Sequence, residues 1–317
     1  FLLPHNSLRV HAEKKRHRLV EQAAAGNLCN EGSLLVNRGG KADDKHDNKY
    51  TLRYRIFRPM SLSSKKAAPL VAIHGGPSLP SDYLEPLVDV IPYRSIILFD
   101  QVGCGQSDEP KNLSDYSIEY GLDDIEALLK KLGVRRFHLY GHSFGGMLAY
   151  EYAKRLAELE TTDPYDDEGC LSLVLSSAPT SVSLLDFEWE RLQSIIEQQA
   201  DGSNPVEEQF RQQHICRTEE LPEPLERAYS RAGSVWVGLD AVQGFECTPT
   251  SKQNNLPSLL IVHGEHDFCT PACIEKWDEF FGRRKRKKML DDCSHHCLLE
   301  RGNFYGETLE SFFCEYD

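Results

Sequence analysis

The sequence predicts an α/β fold in which a mostly parallel sheet has helices on both faces and carries an inserted helical cap. From residue 70 onward, short apolar runs alternate with amphipathic segments, and this alternation stops between residues 180 and 256 before it resumes. Parallel strands need crossover helices, and strands covered on both faces appear as short continuous apolar runs. The predicted strands are Leu70–Ile73, Ser95–Phe99, Phe137–Tyr140, Leu171–Leu175 and Leu259–Val262.

Two β-rich runs precede these strands. They cover Ser33–Val36 and Tyr50–Phe57 and are separated by a glycine pair and a polar loop, a pattern that indicates a hairpin. The residues before the hairpin are polar and charged. The predicted parts of the chain are an N-terminal arm at 1–32, a core formed by 33–179 and 257–317, and a helical cap at 180–256.

Amphipathic stripes predict the helices of the core and of the cap. Apolar residues at steps of three and four lie on one face of a helix and are expected to pack against the sheet or another helix. The stripes are Ile118, Leu122, Ile125, Leu129 and Leu132, then Leu148, Tyr152, Leu156 and Leu159, and in the cap Leu185, Trp189, Leu192 and Ile196. Open α/β sheets bind ligands at the carboxyl ends of their strands, so a cap there should shape the substrate pocket.

Length and charge limit the classes of function. The 317 residues suit one large domain or a domain with an insertion. Lys and Arg total 36 against 49 Asp and Glu, a net charge of −13, which argues against binding to nucleic acid or to anionic membranes. No apolar run approaches the roughly 18 residues of a membrane span. We therefore expect a cytoplasmic protein whose partner is a small peptide or another small molecule; the oligomeric state is left open.

A Gly-His-Ser-Phe-Gly segment at residues 141–145 directly follows the apolar strand Phe137–Tyr140 and precedes a helix. A serine on such a sharp turn is held in a strained backbone conformation, and the flanking glycines let the strand and the helix pass closely. This context is typical of the nucleophile of an α/β-hydrolase fold. We predict that Ser143 is the nucleophile of a serine hydrolase.

A glycine-rich turn at residues 74–77, His-Gly-Gly-Pro, follows the strand Leu70–Ile73. Small residues at this point allow backbone N–H groups to face a substrate carbonyl. We predict an oxyanion hole that pairs the N–H of Phe144 with the N–H of Gly76. Taken alone, the same residues would indicate an ordinary glycine turn.

The order of the two remaining catalytic groups also fits this fold, which places its acid after a late strand and its histidine in the last loop. Asp267 follows the strand Leu259–Val262, and the pair His295 and His296 follows the last apolar run. We predict Asp267 as the orienting acid. We predict His295 as the general base because it lies five residues before Glu300, which matches a common hydrolase spacing.

No metal and no cofactor are expected. Residues 293–297, Cys-Ser-His-His-Cys, carry thiols and imidazoles, but these lie closer in sequence than the ligands of structural zinc sites. The predicted chemistry needs only side chains and backbone groups. We interpret the other histidines, among them His74 and His142, as packing or surface residues.

Several segments carry a family resemblance. They are the turn at 74–77, residues 100–107 (Asp-Gln-Val-Gly-Cys-Gly-Gln-Ser), the serine motif at 141–145, residues 264–267 (Gly-Glu-His-Asp) and residues 293–295 (Cys-Ser-His). Between residues 70 and 317, the chain resembles the proline iminopeptidases, which are α/β-hydrolase aminopeptidases of the prolyl aminopeptidase type. The resemblance implies proteolysis through an acyl-enzyme, with release of an N-terminal residue, often proline, from short peptides.

The resemblance also implies two acidic residues that bind the free α-amino group of the substrate, one in the cap and one directly after the catalytic aspartate. Glu246 matches the cap acid. The second position is Phe268, which cannot accept a hydrogen bond or neutralise an ammonium. Phe268 favours the alternative substrate, an ester, amide or lactone without a free amine. A noncatalytic relative that binds a small ligand is a further alternative, but such relatives usually lack a complete triad.

Overall fold

A computed structural model describes residues 27–39, 48–59, 67–159, 168–199 and 204–317. The strands are β1 Asn27–Arg38, β2 Asn48–Pro59, β3 Leu70–Ile73, β4 Ile96–Asp100, β5 Arg136–His142, β6 Gly169–Ser176, β7 Ser258–Gly264 and β8 Lys285–Leu290. Within these described ranges they form one eight-stranded sheet in the spatial order β1-β2-β4-β3-β5-β6-β7-β8. The pairs β1–β2 and β2–β4 are antiparallel, and the remaining pairs are parallel.

This sheet confirms the predicted fold class. Strands β3 and β4 are buried along their whole length, and β7 is buried from its second residue onward. Strands of a parallel sheet are buried in this way because crossover helices cover both faces. Strand β5 lies at the centre, between β3 and β6, so its carboxyl end carries Ser143 to the middle of the sheet edge.

The helices follow the strands as crossover connections or form the cap. They are α1 Leu87–Val90, α2 Ile118–Leu132, α3 Phe144–Glu158, α4 Val182–Gln199, α5 Val206–Phe210, α6 Glu223–Ser230, α7 Pro271–Ile274, α8 Trp277–Phe281, α9 Cys297–Glu300 and α10 Gly302–Phe313. The hydroxyl of Ser117 accepts the N–H of Tyr120 at the start of α2, and Gly133 ends this helix at φ 63°. Helix α2 packs on α3, which contacts β3, β5 and β6.

The two ends of the sheet differ from the sequence-based expectation. Strand β1 begins at Asn27, so residues 27–32 of the predicted arm pair with β2, and residues 1–26 lie outside the described residues. The basic run 283–288 lies largely within β8, the edge strand. Lysines on an edge strand oppose pairing with a further strand, which gives this charge a structural reason.

The predicted cap region contains α4, α5 and α6 between β6 and β7. Two of its arginines bind the buried carboxylate of Asp82 in the core, Arg227 at 2.8 Å and Arg231 at 2.6 Å. These ion pairs hold α6 against the turn that follows β3. Among the described residues, the helices are all too short or too polar to span a bilayer.

Candidate active site

Ser143 lies on the tight turn between β5 and α3. Its backbone has φ 54° and ψ −127°, a conformation that costs a non-glycine residue about 1–3 kcal/mol. A Cβ on Gly141 would collide with the carbonyl oxygen of Gly145, and a Cβ on Gly145 would collide with that of His74. The strand, the turn and the helix can therefore pack this closely only with glycine at both positions.

The glycine-rich turn after β3 lies against Ser143. A Cβ on Gly75 would lie 2.7 Å from the Cβ of Ser143, so glycine is needed beside the serine. The N–H of Gly75 donates to the hydroxyl of Tyr83 at 2.6 Å. Within the described residues, by contrast, no protein group accepts the N–H of Gly76 or of Phe144, which is the first residue of α3. These two N–H groups are the donors predicted for the oxyanion hole, and both residues line the pocket beside Ser143.

His295 and Asp267 are joined by a buried hydrogen bond. The Nδ1 of His295 lies 2.7 Å from Oδ1 of Asp267, which also accepts the N–H of Cys269 at 2.8 Å. A carboxylate only accepts hydrogen bonds, so Nδ1 carries the proton and Nε2 is left as the basic nitrogen. His295 lines the same pocket as Ser143. The structure thus places the hydrogen-bonded pair His295 and Asp267 at the pocket that Ser143 also lines.

The neighbouring His296 occupies a different environment. Its ring stacks on His142, with ring centroids 5.1 Å apart, and meets Tyr83 edge to face at the same distance. Its ring has no hydrogen bond to Asp267, whose Oδ1 is occupied by His295 and Cys269. This geometry agrees with the choice of His295 as the general base.

A buried hydrogen-bond network connects the serine turn to the loop of His295, and sequence reasoning missed it. The hydroxyl of Tyr83 lies 2.9 Å from Nδ1 of His142, and Nε2 of His142 lies 2.9 Å from the carbonyl oxygen of His295. The carbonyl only accepts, so Nε2 carries the proton and Nδ1 accepts the Tyr83 hydroxyl. Together with the Gly75 N–H, this network ties three separate loops. Nothing in the sequence distinguishes His142 from a packing residue except its place beside Ser143.

Burial keeps the histidines around the site uncharged. Desolvation is the main cause that holds the pKa of His142 well below its usual range, and the neighbouring His295 lowers it further. Desolvation also holds the pKa of His296 well below its usual range, and His142 and His295 lower it further. The base is therefore flanked by two neutral imidazoles.

The buried histidines predict a stability that falls in acid. Burial lowers the pKa of His74, His142 and His296, and lowers that of His138 to about 4. In the unfolded chain these groups bind protons below about pH 6.5, whereas the folded chain resists protonation. Each such histidine should lower the free energy of unfolding by up to about 1.4 kcal/mol for each pH unit below 6.5. Urea unfolding at pH 7.5, 6.5 and 5.5 measures this slope.

The variant His138→Gln provides the control for that measurement. Glutamine does not titrate, so the variant should show a smaller loss of stability between pH 6.5 and pH 5.5 than the parent chain. A free energy of unfolding that stays constant or rises on acidification would contradict the assignment of neutral buried imidazoles.

The pocket is small and largely apolar. Its cavity has a volume of about 90 Å³. The lining residues are Gly76, Ser78, Leu79, Tyr83, His142, Ser143, Phe144, Leu185, Trp189, Ile215, Tyr229, Gly238, Leu239, Phe268, His295 and His296. Among the described residues, no Asp, Glu, Lys or Arg side chain belongs to this lining.

The two residues predicted to bind the substrate's amine have different positions. Phe268 lines the pocket and covers the ring of His295, with centroids 4.1 Å apart. Glu246 lies outside the pocket, is half-exposed and forms an ion pair with Lys276. The prediction for Glu246 is therefore not supported by its position. The family resemblance matched this carboxylate to the cap acid but could not tell which way it points, and in the structure it pairs with the exposed Lys276.

Comparison with known proteins agrees with this architecture. Residues 68–302 match the family model of the alpha/beta hydrolase fold. A proline iminopeptidase of Saccharolobus solfataricus is 30% identical over 287 residues, which cover 82% of this chain and 87% of that protein. A proline iminopeptidase of Lactobacillus helveticus is 30% identical over 297 residues, covering 84% of this chain and 96% of the relative.

Solved structures share the fold. A proline iminopeptidase from Mycobacterium smegmatis has a TM-score of 0.71 at 21% identity, over 90% of this chain and 98% of that one. A thermophilic esterase from Thermogutta terrifontis has a TM-score of 0.62 at 16% identity, over 90% and 99% of the two chains. The structural likeness concerns the fold, whereas the sequence relatives define the family. The chain therefore belongs to the proline iminopeptidase family of α/β-hydrolases and is a serine hydrolase of the prolyl aminopeptidase-like type.

Proposed function

We propose that this hydrolase releases proline or another small N-terminal residue from short peptides through an acyl-enzyme on Ser143. One observation carries the mechanism: the hydrogen bond between His295 and Asp267 faces the pocket that holds Ser143 on its strained turn. The names of the relatives, which are proline iminopeptidases, support the substrate class.

Each group in this mechanism has a defined role. The hydroxyl of Ser143 attacks the substrate carbonyl and passes its proton to Nε2 of His295, while Asp267 holds the imidazole in the required tautomer. The N–H groups of Gly76 and Phe144 donate to the oxyanion that forms. His295 then protonates the leaving amine, and a water molecule releases the acyl group by the same steps in reverse.

The size of the pocket supports a small acyl group whose amine carries no further substituent. The cavity of about 90 Å³ lies well below the roughly 300–1,000 Å³ common for ligand pockets. Leu185, Leu239 and Phe268 form apolar walls suited to a compact ring such as that of proline. These walls leave little room for a further group on the amine, so exopeptidase specificity would arise from steric closure.

A second candidate is hydrolysis of a small ester or amide that has no free amine. The observation in its favour is the absence of a carboxylate from the pocket lining within the described residues. An α-ammonium would enter this pocket without a counter-ion, which is unfavourable. An uncharged acyl group would not carry that penalty.

A panel of chromogenic substrates separates the two candidates. It consists of prolyl-p-nitroanilide, its N-acetylated form and p-nitrophenyl acetate. We expect kcat/KM for the prolyl anilide to exceed that for the N-acetylated form, because the acetyl group does not fit the cavity. A preference for the N-acetylated anilide, or cleavage of the ester alone, would favour the second candidate.

Glu246→Gln tests whether this carboxylate takes part in substrate binding. It is half-exposed, bound to Lys276 and outside the pocket, so its loss should change kcat/KM for the prolyl anilide by less than about twofold. If Glu246 bound the ammonium, removal of a charged hydrogen bond worth about 1.5–3 kcal/mol would reduce kcat/KM roughly 10- to 150-fold. A selective loss of that size for the prolyl anilide would show that Glu246 binds the ammonium, as the family resemblance implies.

A further inference from the structure

Polar side chains in the pocket differ in whether their hydrogen bonds are already used. The hydroxyl of Tyr83 is bonded to Gly75 and His142, and both ring nitrogens of His142 have partners. His295 uses Nδ1 for Asp267, and its Nε2 is the base of the proposed mechanism. The O–H and N–H donors of these three side chains are therefore all in use within the protein.

Three polar groups in the same lining, the hydroxyls of Ser78 and Tyr229 and the ring of His296, form no hydrogen bond within the described residues. Ser78 and His296 are each only 4% exposed. Their polar atoms are therefore open to the cavity and keep their capacity to bind a group of the ligand.

All three groups are uncharged. Burial and the adjacent rings of His142 and His295 keep His296 neutral, and a neutral imidazole offers one donor and one acceptor. The titratable groups that face His296 are Tyr83, His142 and His295, and each of them contacts its ring. With no ionised side chain in the lining, the pocket is suited to a neutral polar group.

We propose that His296, with the hydroxyls of Ser78 and Tyr229, forms a neutral polar subsite that accepts an uncharged N–H of the acyl group. The inference rests on the proposed function and deepens it. For an N-terminal proline, the group bound is the ring amine in its unprotonated form. This contact takes the place that the family resemblance assigns to carboxylates.

A matched pair of substrates isolates this contact. Prolyl-p-nitroanilide and cyclopentanecarbonyl-p-nitroanilide have acyl rings of the same shape, and they differ by N–H in place of CH₂. His296→Leu removes the hydrogen bond while it keeps an apolar side chain, and His296→Gln restores an acceptor. Ser177→Ala, outside the pocket, is the control variant.

The measured quantity is the kcat/KM for the prolyl anilide divided by that for the cyclopentane analogue. We expect this ratio to fall about 2- to 12-fold in His296→Leu, the range for one neutral hydrogen bond. His296→Gln should recover part of it, and Ser177→Ala should leave it unchanged. The different reactivity of the two anilides cancels when variants are compared. An unchanged ratio in His296→Leu would overturn the proposal.

The pH dependence of the parent enzyme gives a second test that needs no folded variant. An α-amino group loses its proton near pH 7.7–8.0. We expect kcat/KM for the prolyl anilide to rise between about pH 7 and pH 9 while that for the cyclopentane analogue stays level. A fall for the prolyl anilide over this range would show that the ammonium is bound and would overturn the neutral subsite.

Different results would contradict the proposed subsite and the proposed acyl-enzyme function. If the parent enzyme cleaves both anilides with a ratio that His296→Leu does not change, the subsite is wrong and the acyl-enzyme mechanism stands. If neither anilide is cleaved and Ser143 is not labelled by a fluorophosphonate, the proposed function itself is wrong.

Discussion

Ser143→Ala should abolish turnover and covalent labelling by a fluorophosphonate in a chain that remains folded. Loss of a serine nucleophile typically reduces kcat by roughly 10⁶-fold, because the neighbouring histidine then has no group to activate. The alanine also fits the turn, since it removes only the hydroxyl from a position whose strained backbone is set by the packing of Gly75, Gly141 and Gly145. Labelling followed by mass spectrometry, with circular dichroism to confirm folding, makes the measurement.

Ser177→Ala is the matched control for this experiment. Ser177 shares with Ser143 a positive φ, here 50°, and its buried hydroxyl has no hydrogen-bond partner within the described residues. It does not line the pocket. Its replacement should leave labelling intact. Labelling that survives in Ser143→Ala, or is lost in Ser177→Ala, would move the nucleophile away from Ser143.

His295→Ala and His296→Ala should differ in kcat by several orders of magnitude, although the two residues are adjacent. We expect His295→Ala to reduce kcat by roughly 10⁴- to 10⁶-fold, because Nε2 of this ring takes the serine proton. His296→Ala should reduce kcat/KM for the prolyl anilide by about tenfold at most, as a lost neutral hydrogen bond would. Steady-state kinetics on the same substrate compares the two variants.

Asp267→Asn extends this comparison to the third residue. Asparagine keeps the shape of the side chain but can present an N–H to Nδ1 of His295, which favours the wrong tautomer, so we expect a loss close to that of His295→Ala. If His296→Ala proved the more damaging histidine variant, the general base would move to His296, and the hydrogen bond between His295 and Asp267 would be structural.

Much of the candidate site follows from local sequence because the fold converts sequence order into position. Ser143, Asp267 and His295 each follow a strand, and the carboxyl ends of β5, β7 and β8 lie at one edge of the sheet. Strand alternation and turn residues can be recognised without knowledge of contacts. The motif at Ser143 and the order of the later groups therefore predict the site before any coordinates are known.

The direction in which an individual side chain points could not be predicted from the local sequence. Glu246 was expected to face the substrate, yet it pairs with Lys276, a residue that lies thirty positions away in sequence. His142 was expected to be a packing residue, yet it bridges Tyr83 and the carbonyl of His295. Such contacts join loops that are distant in sequence, so no periodic pattern in the sequence reveals them.

The sequence by itself determined the fold class through hydrophobic periodicity and the family through its motifs, and it predicted Ser143, Asp267 and His295 as nucleophile, acid and base, because periodicity and turn chemistry are local properties. Only the tertiary structure decided what the pocket contains. It turned the carboxylate of Glu246 outward, placed Phe268 over His295 and, among the described residues, left the ring of His296 without a hydrogen-bond partner. These outcomes depend on ion pairs, ring packing and burial between residues that are far apart in sequence. Such contacts form only when the loops at the edge of the sheet pack against the cap.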